Sequence, residues 1–182
     1  MKKNIVILLA DGFEEIEALV PADVLRRLGF QVTLAAVGGE RTVAGAHGIR
    51  VTADARLTEL PQDGFDAVIL PGGMPGSRNL RDSALVLSRV RAMTEAGRIV
   101  AAICAAPIAL AKAGVLAGRR YTMYPGFEPE MPSAPTGNLV ERDGDLITGK
   151  GPGAAFAFAA EIASALGADA RGLYRDGMFV RE

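Results

Sequence analysis

Two side chains in this sequence combine reactive types with suggestive placement, Cys104 and Glu17. Cys104 is the single cysteine in 182 residues. It stands where the apolar run Arg98 to Ile103 meets a small-residue helical pattern, Ala105 to Ala111. A strand-to-helix elbow pushes its central side chain out of the sheet and sets the sulfur beside free helix N–H groups and the positive end of the helix dipole, which favour a thiolate. The segment therefore reads as a nucleophile site. A lone cysteine in apolar surroundings is more often a small buried hydrophobe, so the neighbours must decide.

Glu17 is the second such side chain. On a helix from Ile16 it shares a stripe with Val20, Val24 and Leu28, which turns its carboxyl inward while Glu14 and Glu15 face water. Burial raises the pKa of a carboxyl, and a nearby thiolate raises it further, leaving an acid that can hydrogen-bond sulfur and relay a proton. Pro21 cannot donate to the Glu17 carbonyl and is expected to kink or restart the helix. The other reading of Glu17 is a half-solvated first-turn acid favoured by the dipole. Taken alone the two stand level; a neighbouring Cys104 favours the first.

The elements that must position these groups alternate along the chain. Asn4 to Ala10, Gln31 to Ala36, Ala67 to Leu70 and Ile99 to Ile103 are short, nearly continuous apolar runs, the pattern of strands buried on both faces of a parallel sheet. Helical patterns run from Ile16 to Leu28, Ala84 to Ala96, Ala105 to Ala113 and Ala154 to Leu166, each followed by glycine. Val140 to Thr148 reads as a hairpin around Asp143-Gly144, and Tyr121 to Gly137, rich in proline and glycine, as loop. No repeat or linker interrupts the pattern. The expectation is a single α/β domain over residues 1–182, an open, mostly parallel sheet with helices on both faces.

In such a sheet ligands bind beyond the carboxyl ends of the strands. Asp11 to Glu17, Pro71 to Gly76 and Cys104 all fall at that edge. Gly72 and Gly73 let backbone approach a ligand, and N–H groups there and at Ala105 are suited to hold an oxyanion; glycine pairs after a strand also make plain turns. Gly151-Pro152-Gly153 reads equally as pocket lining or as a helix-start turn. His47, in the polar stretch Ala44 to Gly48 with no acid nearby in sequence, reads as surface loop.

Composition narrows the function classes. Hydrophobic residues make up 49% of the chain, and 20 Lys+Arg against 21 Asp+Glu give no electrostatic lean toward nucleic acid or anionic membrane. One cysteine and one histidine offer no zinc spacing, so no structural metal is expected. Ile5 to Ala10 is too short for a signal peptide or a span, which makes the cytoplasm the expected location.

Leu9 to Glu17, Leu70-Pro71-Gly72-Gly73, Ala101 to Pro107 and Gly151-Pro152-Gly153, in that order and spacing, closely resemble the ThiJ/PfpI superfamily, in the branch of the human Parkinson-associated deglycase and its bacterial relatives. The resemblance covers almost the whole chain. It implies a flavodoxin-like fold, Cys104 as nucleophile and oxidation-sensitive thiol, Glu17 as its protonated partner, Gly73 and Ala105 as backbone donors, and a homodimer with the first helix region near the interface. Gly72, Met74, Tyr124, Gly151 and Pro152 are the further candidates for pocket lining. The peptidase branch has histidine where this chain has Ala105, and glutamine amidotransferases have glycines where it has Ala102 and Ala106. Both activities are therefore disfavoured. Animal members place a histidine near the cysteine in the segment matching Tyr121 to Pro125, where this chain has Tyr124, a phenol that can donate a hydrogen bond but is a poor base near neutral pH.

The expected activity is a cofactor-free glyoxalase or deglycase acting on small dicarbonyls. The alternative is an oxidation sensor or redox-regulated chaperone built on the same two residues.

Overall fold

The computed structural model of the chain describes residues 2–180. Among the described residues nine strands and five α-helices follow one another as β1 (Asn4–Leu9), α1 (Glu15–Arg27), β2 (Gln31–Ala36), β3 (Thr42–Ala44), β4 (Arg50–Thr52), β5 (Ala55–Arg56), β6 (Ala67–Leu70), α2 (Gly76–Asp82), α3 (Ala84–Glu95), β7 (Ile99–Ile103), α4 (Pro107–Ala113), β8 (Val140–Asp143), β9 (Leu146–Gly149) and α5 (Ala155–Ala165). Seven strands form one sheet in the order β5-β2-β1-β6-β7-β9-β8. Only β8 runs antiparallel to its neighbour. This is the expected flavodoxin-like α/β fold.

The apolar runs are continuous because alternate side chains feed two cores. From β1, Ile5, Ile7 and Leu9 join a core with Ala18, Leu25, Phe158 and Ile162 of α1 and α5. Val6 and Leu8 join the opposite core with Val86, Val90, Ile108 and Leu110 of α3 and α4. Each such fully buried Val, Leu, Ile or Phe side chain contributes about 1.5–3 kcal/mol, so the central strands are anchored on both faces. The catalytic candidates hang from their carboxyl ends.

The four expected helices are present within two residues of their predicted bounds, and each ends where glycine was expected. Gly114, for example, caps α4 at φ 81°, a left-handed conformation that a side chain disfavours. Two differences concern the site. α1 runs unbroken through Pro21, so the proline leaves the Glu17 carbonyl without its helical donor yet does not restart the helix. α4 begins at Pro107 rather than Ala105, and residues 104–106 form the turn before it.

Four elements were not expected. The β3–β4 hairpin and the two-residue β5 lie where the sequence pattern marked no strand, and α2 carries no apolar periodicity. The Tyr121 to Gly137 stretch is irregular, as expected, apart from one 3₁₀ turn at Glu128–Glu130, but Tyr121, Thr122 and Met123 are buried. No described helix is long and apolar enough to cross a membrane.

Candidate functional site

The strand ends bring together the residues singled out from the sequence. Cys104 follows β7 directly and adopts φ 63°, a left-handed conformation unusual for a residue with a side chain. Its N–H donates to the Gly149 carbonyl (2.9 Å), and its own carbonyl accepts from the Tyr124 N–H (2.9 Å). The elbow is thus held from both sides. The Gly73 and Ala105 N–H groups hydrogen-bond toward the sulfur.

Glu17, in the first turn of α1, is completely buried. Its Oε2 accepts from the Gly72 N–H at 2.8 Å, while its Oε1, also buried, has no conventional hydrogen-bond partner. The Cys104 thiol is the side chain that acts on this carboxyl through hydrogen bonding. Gly72 fills the gap between the two: a Cβ there would lie 2.5 Å from both the Cys104 Cβ and Glu17 Oε2. Of the two sequence readings of Glu17, the inward-facing one is observed.

Burial raises the Glu17 pKa to about 7, with a smaller upward push from the charge on Glu14. The thiol behaves differently from expectation. Burial and then the Glu17 charge push Cys104 up to about 12, outweighing the Gly73 and Ala105 N–H groups. A dipole at the start of the seven-residue α4 does not offset the loss of water. The pair therefore resists carrying two negative charges. Moving one proton from sulfur to Glu17 leaves the total charge unchanged, gives the sulfur two N–H donors, and turns the unpartnered Oε1 into a potential donor.

Glu14 and Glu15 do not face water as expected. The β3–β4 hairpin folds over them: the Gly12 N–H donates to the Ala44 carbonyl and the Ala46 N–H to the Phe13 carbonyl. Glu15 Oε1 accepts from the His47 N–H (2.8 Å) and the Ile49 N–H (3.3 Å), and its Oε2 lies 2.9 Å from His47 Nδ1. Glu14 Oε2 is 3.4 Å from the same nitrogen. Gly45 has no side chain to spare here, since a Cβ would fall 2.2 Å from Glu15 Oε1. His47 is a surface residue, as expected, but it has an acidic partner 32 positions away, which no local pattern could reveal. The three groups satisfy one another as an ion pair that straps the hairpin to the Glu17-bearing segment.

The Glu15 hydrogen bond, and then the Glu14 and Glu15 charges, raise the His47 pKa above the usual histidine value. The protonated imidazole is therefore favoured by folding. Its stabilising effect is complete below the ordinary histidine pKa and is lost as pH rises through the elevated one. An NMR titration of wild type is expected to place the His47 midpoint above 6.5, with Glu15→Gln bringing it down.

Among the other pocket candidates, Met74 and Tyr124 are partly exposed, at 36% and 49%. Gly151 faces the Tyr124 ring, its notional Cβ 3.3 Å from Cδ2. Pro152 opens the 3₁₀ turn before α5. A cavity of about 790 Å³ lies elsewhere, between α5 and residues 168–180, with Phe156, Ala160 and Tyr174 in its walls. Neither Cys104 nor Glu17 lines it.

An open parallel sheet bearing a strained cysteine elbow, with a buried acid beside the sulfur, defines a class of α/β proteins built around a reactive thiol. The chain belongs to the DJ-1/PfpI family, whose sequence profile matches residues 3–165. Protein dj-1beta of Drosophila melanogaster is 41% identical over 169 residues, spanning 91% of this chain and 90% of that protein. A protein of Pyrococcus abyssi named as a deglycase is 35% identical over 167 residues, spanning 90% and 99% of the two chains. The crystal structure of Drosophila DJ-1beta superposes with a TM-score of 0.94 at 38% identity over 100% of both chains. Oxidised Toxoplasma gondii DJ-1 superposes at 0.93 with 30% identity, covering 98% of this chain and 100% of that one.

Proposed function

We propose that this protein is a cysteine-dependent deglycase or glyoxalase that converts methylglyoxal and related dicarbonyl adducts to hydroxy acids. The observation that carries the reading is the buried Glu17 carboxyl, held by Gly72 through one oxygen and left unpartnered at the other, beside an elbow cysteine. The relative from Pyrococcus abyssi, named as a deglycase, supports the same reaction class.

The chemistry follows from the proton balance of the pair. The Cys104 thiol passes its proton to the ionised Glu17 as the sulfur adds to the aldehyde carbon, and Glu17 hands that proton to the resulting alkoxide to give a hemithioacetal. Glu17, once ionised, removes the proton from that carbon to form an enediol and returns one to the neighbouring carbon. The product is a thioester of lactate. Water then cleaves it, releasing lactate and regenerating the thiol, so the overall change is addition of one water with no net oxidation. The Gly73 and Ala105 N–H groups stabilise the developing alkoxide, an effect on the order of 3 kcal/mol for one good donor. The reading takes the protein as a cytoplasmic homodimer acting without a cofactor.

A second reading has one observation in its favour. An acid able to donate to an oxygen on sulfur also suits an oxidation sensor, and the similar Toxoplasma protein was captured oxidised. Lactate production from methylglyoxal without glutathione separates the two. Freshly reduced wild type is expected to turn over and Cys104→Ser to be inactive; an inactive wild type would move the assignment to the sensor.

A further inference from the structure

Tyr124 differs from the other tyrosines of the chain. The hydroxyls of Tyr121 and Tyr174 donate to the carbonyls of Ser133 and Phe156, whereas that of Tyr124 has no hydrogen-bond partner among the described residues, and the side chain is half exposed. Its main chain is nevertheless tied to the nucleophile, because its N–H donates to the Cys104 carbonyl at 2.9 Å. The ring leans on Gly151, where a Cβ would sit 3.3 Å from Cδ2 and 3.8 Å from Cε2. Gly151 has φ 173°, ordinary extended backbone, so no torsional requirement calls for glycine there. What a side chain at 151 would meet is the Tyr124 ring. The ring thus occupies the space a side chain at 151 would need, while much of the residue remains open to solvent.

From this arrangement we propose that Tyr124 is the specificity-determining wall of the Cys104 site, and that its ring selects 2-oxoaldehydes carrying a flat aromatic substituent over those carrying a methyl group. This rests on the reading of Cys104 as the nucleophile of a dicarbonyl enzyme. An aromatic substituent at the mouth can stack on the Tyr124 ring in an offset or edge-to-face arrangement, which a methyl group cannot.

The test is the ratio of kcat/KM for phenylglyoxal to that for methylglyoxal, measured on wild type, Tyr124→Phe and Tyr124→Ala. A general structural defect lowers both substrates together and leaves the ratio alone. Tyr124→Ala is expected to lower the ratio about tenfold, while Tyr124→Phe, which keeps the ring, holds it within about twofold of wild type. An unchanged ratio in Tyr124→Ala overturns the proposal. Should wild type turn over neither substrate, the dicarbonyl reading fails by itself, and saturation-transfer NMR with mandelate and lactate, the hydroxy acids formed from the two substrates, tests the wall directly. Preferential contact with mandelate that is lost in Tyr124→Ala then supports it, and equal contact overturns it.

Discussion

Glu17→Gln is expected to abolish turnover of methylglyoxal and, at the same time, to make the fold more stable above neutral pH. The amide keeps the shape of the carboxyl, and its oxygen can still accept from the Gly72 N–H that now binds Oε2 at 2.8 Å. In the proposed mechanism it cannot give or take the proton that passes between the two substrate carbons, so activity should fall by about a thousandfold or more. Stability moves the other way. Burial raises the Glu17 pKa from 4.5 to about 7, which means that the folded state holds a proton the unfolded chain has already released. The carboxyl's favourable contribution is complete below 4.5 and declines as pH rises. Above 7 the fold must bury the ion, at a cost of about 3 kcal/mol. Thermal denaturation at pH 8 should therefore show the variant to be more stable than wild type, with the gap closing as the pH is lowered toward 4.5. Equal stability of the two proteins across that range would contradict the protonated-acid role of Glu17.

Gly72→Ala should damage both activity and fold. The added methyl would lie 2.5 Å from the Cys104 Cβ, 2.5 Å from Glu17 Oε2 and 2.9 Å from the Ile103 carbonyl oxygen. None of these can retreat cheaply: one belongs to the last residue of β7, one to the elbow after it, and one to a completely buried side chain. Gly72 is not among the positive-φ glycines, so the penalty is steric overlap rather than torsion, and overpacking of this kind costs about 3 kcal/mol. Since the methyl pushes apart the two groups to which the proposed mechanism assigns the chemistry, turnover should fall at least about a hundredfold. Gly38→Ala, with nothing within 4 Å of its notional Cβ, is the control and should leave the urea midpoint nearly unchanged. A Gly72→Ala protein with wild-type midpoint and turnover would show that sulfur and carboxyl need no such close approach.

The sheet was legible because its central strands are buried on both faces. Asn4 to Leu9 and Ile99 to Ile103 are apolar at nearly every position, and no helix period competes with that reading. β3 and β4 were not legible, since three-residue strands with exposed ends such as Thr42 and Arg50 contain too little alternation to register. In α2, the sequence Gly-Ser-Arg-Asn-Leu-Arg-Asp buries a single large apolar side chain, Leu80, which sets no period. The pairing of Cys104 with Glu17 could be inferred because both lie at strand ends on the same sheet edge. The environment of the sulfur could not, because the helix dipole is written in local order whereas burial depends on the fold as a whole. The same limit hid Glu15, whose partners His47 and Ile49 belong to a hairpin distant in sequence.

The left-handed backbone at Cys104 costs the chain on the order of 1 kcal/mol that glycine there would not pay. Together with the buried ionisable group at Glu17, it places two uncomfortable positions of the fold side by side. A library of random variants selected only for survival of heat at mildly alkaline pH would be drawn to these positions early, toward glycine or asparagine at 104 and an uncharged residue at 17. Thermostable descendants would then be sound scaffolds that had lost the proposed reactive centre, so a laboratory evolution scheme for this protein must screen for chemistry in every round.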